Sequence, residues 1–95
     1  MEIIKHTVEK LTDPTGILTG DRYEYILSID VPEEDELYTE NGVYIKAILL
    51  VDGVSNRIVQ SHFIEESTNR YLDFDLEEEE VEQILHYCVE NLPNE

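Results

Sequence analysis

The side chains best equipped for chemistry in this chain are one cysteine, three histidines and a large excess of carboxylates. Nucleophilic catalysis needs a Cys, Ser or Thr beside a base that can take its proton. Cys88 and His86 stand two residues apart in a helical pattern, so their side chains point in different directions. Cys88 also falls on an apolar stripe, where a small hydrophobe belongs, and reads as a core residue. His6, His62 and His86 come from three separate elements, and no two have the spacing of a helical metal motif. Each reads as a solvated or hydrogen-bonded structural histidine, His62 on a sheet face away from the core. A lone thiol excludes both an internal disulfide and a multi-cysteine zinc or iron–sulfur site. Asp13-Pro14-Thr15-Gly16 differs from the Asp-Thr-Gly of aspartic proteases by an inserted proline, and turn chemistry accounts for each of its residues. The expectation is no catalytic residue, no cofactor and no metal site.

The carboxylates are unevenly spread. Residues 31–40 hold Glu33, Glu34, Asp35, Glu36 and Glu40; residues 73–82 hold Asp73, Asp75, Glu77, Glu78, Glu79, Glu80 and Glu82. Together these are 12 of the 23 acidic residues. Neither cluster has the alternating ligands, central glycine and terminal glutamate of a calcium-binding EF-hand loop. A glycosidase-type pair would need two carboxyls astride a cleft, one with a raised pKa. A short meander offers little material for that cleft. Part of the second cluster has a structural reason, because the helix dipole favours acids in a first turn. Four consecutive glutamates exceed what capping requires.

The elements that must position these groups follow from periodicity. Ile3 to Leu11 reads as a first strand with Ile4, His6 and Val8 on one face. Arg22 to Val31 alternates most clearly: Tyr23, Tyr25, Leu27, Ile29 and Val31 share a face, as expected of a half-buried antiparallel strand. Pro32 ends it, and Glu33 to Glu36 form a solvated loop. Val43 to Val51 is apolar on both faces except at Lys46, which marks a central strand. Asp52-Gly53 is a hairpin signal, returning through a strand from about Arg57 to Ile64. Tyr71 to Phe74 reads as a short last strand. Val81, Ile84, Leu85, Cys88 and Leu92 then recur at helical spacing, with Asp75 and Glu78 as a capping box and Pro93 as the stop. The fold class expected is α+β: an antiparallel β-meander of about five strands, with one C-terminal amphipathic helix packed on a sheet face, in a single domain over residues 1–95.

Composition narrows the partners. Six basic residues against 23 acidic ones leave a formal net charge of −17. Such a surface repels phosphate backbones and anionic lipid, so neither direct nucleic-acid binding nor a membrane is expected. The N-terminus mixes charges with apolar residues and lacks the continuous apolar core of a signal peptide, which points to the cytoplasm.

Three stretches carry a resemblance: Thr7 through Glu24, Glu34-Asp35-Glu36-Leu37-Tyr38 with Glu40-Asn41-Gly42, and Tyr71-Leu72-Asp73-Phe74. They resemble a family of short acidic proteins of unknown function from Gram-positive, spore-forming bacteria. The resemblance covers nearly the whole chain. It implies a bacterial cytoplasmic protein and supplies no catalytic residues. The function expected is a non-enzymatic acidic interaction module that engages a basic protein partner through Glu33, Glu34, Asp35, Glu36, Glu77, Glu78, Glu79 and Glu80. The alternative is a small carbohydrate-active or other hydrolytic enzyme using carboxylates.

Overall fold

Alternation and turn chemistry produce four long strands. The computed structural model describes residues 2–12, 20–53 and 55–93. β1 (Glu2–Leu11), β2 (Asp21–Asp30), β3 (Val43–Asp52) and β4 (Ser55–Glu65) pair antiparallel in the order β1-β2-β3-β4, and α1 (Glu78–Glu90) follows. The register aligns Tyr23 with Leu49, Tyr25 with Ala47, Leu27 with Ile45 and Ile29 with Val43. These eight side chains are all buried and form the centre of the core. On the helix-free face of β3, Ile48 and Leu50 are also nearly inaccessible. Burial on both faces is why this strand lacks clean alternation.

Among the described residues four strands form, where the sequence suggests about five. Residues 71–74 do not join as a strand: Tyr71 makes one isolated antiparallel bridge to Ile64, and Leu72 N–H donates to the Phe63 carbonyl at 2.9 Å. The segment is short, carries Asp73 and is followed by Asp75; it touches the β4 edge and then leaves for the helix. In β1 a bulge between Ile3 and Lys5 changes the facing residues. Ile3, His6 and Val8 turn toward the helix side, and Ile4 is left 62% exposed. The β3–β4 hairpin closes at Asp52↔Ser55, with Gly53 at a φ of 62° that disfavours a side chain. Asp52 is thus the last paired residue of its strand. The turn read at Asp13 to Gly16 lies outside the described residues.

The helix begins two residues later than the sequence pattern suggests. Glu77 is the N-cap, and its N–H donates to Glu80 Oε1 at 2.9 Å. Leu76 packs against the core, and the backbone at Asp75 belongs to neither helix nor strand. Of the apolar stripe, Ile84 and Cys88 are wholly buried, while Leu85, Val89 and Leu92 flank them. Tyr25 sits on the strand row it shares with Ala47, and its one hydroxyl proton is shared between the Cys88 carbonyl at 2.9 Å and the Asn91 carbonyl at 3.1 Å. This buried phenol secures the end of the helix to the sheet and adds a donor at the C-terminal carbonyls, where helical bonding runs out. The helix is not long and apolar enough to cross a membrane.

Candidate functional site: an acidic groove at the helix entry

The connection from β2 to β3 is built by successive turns. Asp35 N–H donates to the Pro32 carbonyl and Tyr38 N–H to the Asp35 carbonyl, each at 3.0 Å. The Asp35 carboxylate also accepts from Leu37 N–H at 2.9 Å. These bonds turn Leu37 inward, where it packs against the core, while Glu33 to Glu36 remain exposed.

Glu65 holds the far end of this connection. Its carboxylate accepts from Thr39 Oγ1 at 2.8 Å and Thr68 Oγ1 at 2.7 Å. Those hydrogen bonds, Thr68 first and Thr39 second, lower its pKa from the ordinary 4.5. Gly42 lies close by at a φ of 83°, where an added Cβ would come within 2.9 Å of the Glu66 carboxylate. Residues 39–42 are thus tied to the turn after β4.

With both segments held, the acidic loop and the helix entry meet. Leu37, Phe63 and Phe74 form an apolar floor, rimmed by Asp35, Glu36, Asp75, Glu77 and Glu80, in a groove of about 290 Å³. Among the described residues, five carboxylates and no basic side chain line it. A second hollow of about 180 Å³ shares Asp35, Leu37, Phe63 and Glu80 and continues along Ile29, Val31 and Pro32. Phe74 is 42% exposed, so this part of the floor is open to solvent.

Of the acidic residues singled out by sequence, Asp35, Glu36, Glu77 and Glu80 come together around this groove. Glu33, Glu34, Glu78 and Glu79 are exposed and do not line it. Sequence reasoning missed Asp75 as a rim residue and Leu37, Phe63 and Phe74 as the floor. The signal for Phe74 was an aromatic between two aspartates, at the end of the run read as a short last strand.

The other chemically capable groups lie outside this groove. Cys88 is fully buried, and burial pushes its thiol up to about 12, so thiolate is scarce at neutral pH. His6 Nδ1 lies 2.8 Å from the Tyr87 hydroxyl beneath the helix. His62 is on the helix-free face with its ring 5.1 Å from that of Tyr71. His86 is exposed on the helix beside Glu2 and Glu90. Among the described residues, no three His, Cys, Asp or Glu side chains are grouped to hold a metal ion.

Fold and groove together define a small α+β domain, a four-stranded antiparallel meander with one covering helix. The chain belongs to the family of unknown function DUF6509, whose model matches residues 1–95. No curated protein and no solved structure matches it.

Proposed function

We propose that this protein is a non-enzymatic interaction module whose acidic groove receives a basic protein segment. Support comes from the convergence of two acidic segments, about 40 residues apart in sequence, around an open apolar floor. Carboxylates alone would attract cations weakly and without geometry. The floor of Leu37, Phe63 and Phe74 adds a place for an apolar anchor, and buried anchors carry most interface affinity. Lys or Arg side chains flanking that anchor would meet the rim, where complementary charge mainly raises the association rate and selects the partner. The occupant is therefore a segment with an aliphatic or aromatic side chain between basic residues.

Capture from a lysate of the native host, at low and at high salt, tests this. Wild-type bait should retain a basic protein that salt releases. Glu36→Lys should abolish capture by opposing the charge, and Phe74→Ala should weaken it with the charge unchanged. Asp52→Lys, at the distant hairpin, serves as a control for net charge and should leave it intact. Capture that ignores salt and both groove substitutions would refute the reading.

A further inference from the structure

Among the described residues, the outer edge of β1 is the least protected backbone of the sheet. At the opposite edge, Leu72 N–H donates to the Phe63 carbonyl and Glu65 N–H to the Arg70 carbonyl, so residues 70–72 cover part of β4. Among the described residues, β1 makes ladder bonds only to β2. An open edge is a template for another strand, and proteins commonly guard it with charges or bulges. Here the bulge lies at one end, between Ile3 and Lys5, leaving Lys5 to Leu11 regular.

Lys5, Thr7 and Glu9 stand opposite Ser28, Ile26 and Glu24, on the helix-free face, and all three are exposed. Among the described residues, neither Lys5 nor Glu9 has an ion-pair partner in its own chain. Glu9 instead faces Glu24, a like-charged cross-strand pair of the kind that destabilises a sheet. These charges are symmetric about Thr7. A two-fold axis there sets each Lys5 opposite the Glu9 of the second strand, and Thr7 opposite Thr7. Centring on His6 instead would bring the bulged Ile4 into the ladder; centring on Val8 would put His6 opposite Lys10 and pair no opposite charges.

We infer that β1 is a homodimerisation edge, pairing antiparallel with β1 of a second copy about a two-fold at Thr7 to give a continuous eight-stranded sheet. The ladder supplies backbone hydrogen bonds, and two Lys5–Glu9 pairs fix the register. Each incoming Lys5 also neutralises a Glu9 that its own chain leaves facing Glu24. The axis runs perpendicular to the sheet, so both helices lie on one face and both acidic grooves stay open. The contact is isologous and closed, so association stops at two.

Sedimentation of the full chain from about 10 µM to about 1 mM, at about 0.15 M salt, tests this. Wild-type protein should pass reversibly from monomer to dimer. Lys5→Glu and Glu9→Lys should each weaken the dimer by about tenfold or more, because two attractive cross-strand pairs become repulsive. The double exchange K5E/E9K should restore it to within about threefold. Glu9→Lys should at the same time raise the monomer's melting temperature by relieving Glu24, a combination that a folding defect would not produce. If Lys5→Glu misfolds by circular dichroism, Glu9→Lys and concentration-dependent amide protection along β1 carry the test. A chain that stays monomeric throughout, a dimer indifferent to both single reversals, or a double exchange that fails to restore association would each overturn the inference.

Discussion

Replacing Tyr25 with Phe isolates what the buried hydroxyl does. The ring stays packed, so no cavity opens, and only the bonds to the Cys88 and Asn91 carbonyls disappear. The Cys88 carbonyl keeps the Asn91 N–H at 3.2 Å. The Asn91 carbonyl, partly buried, loses the phenol. One net hydrogen bond is worth about 1 kcal/mol, and leaving a partly buried acceptor short raises the cost to about 2 kcal/mol. In a domain of this size that lowers Tm by roughly 5–15 °C. Urea and thermal melts followed by circular dichroism should show the loss with an unchanged m-value, since no surface is newly exposed. Amides in the last helical turn should exchange faster than those of β2 and β3. A variant within about 0.3 kcal/mol of wild type, with helix-end exchange unaltered, would mean that water replaces the hydroxyl at no cost, and the anchoring argument would fail.

Ile84→Ala should cost about 2–5 kcal/mol, and the half-buried Leu85→Ala clearly less, by chemical denaturation; the reverse order would misplace the helix face. Burial raises Tyr25 from 10.0 to about 12 and Cys88 from 9.0 to about 12. Groups raised on folding stabilise fully below their unfolded values, so stability should decline as pH rises from about 9 toward about 12, less steeply in Tyr25→Phe. Glu65 is depressed, so its contribution is complete above the ordinary 4.5 and is lost as pH falls below it; Glu65→Gln should flatten the acid limb of a pH melt. At pH 7, added salt should raise Tm by screening the repulsion of a −17 chain over roughly 10 Å at 0.1 M; a fall would mean that ion pairs such as Lys46–Glu24 outweigh it.

β2 was legible because its residues alternate, Ile26 excepted, where one face is buried, and period-two burial is a local property of a strand. The hairpin after Asp52 and the helical stripe of Ile84 and Cys88 were legible for similar reasons. The bulge in β1 was not, because alternation survives it on paper and only the pairing with β2 shows Ile3 replacing Ile4 on the helix side. Tyr71 to Phe74 has strand composition, yet one bridge was all that the geometry of its return allowed. The helix starts at Glu77 and not at Asp75, with the intervening Leu76 packed against the core, a tertiary contact that local capping patterns do not report. The sequence by itself therefore determined the class of fold, the acidic segments and the absence of local catalytic spacing, since each rests on neighbours within a few residues. Only the tertiary structure decided that Asp35 and Glu36 meet Glu77 and Glu80 over Leu37, Phe63 and Phe74. That meeting depends on strand order and on the Glu65 tether, which are set by contacts between residues far apart in the chain.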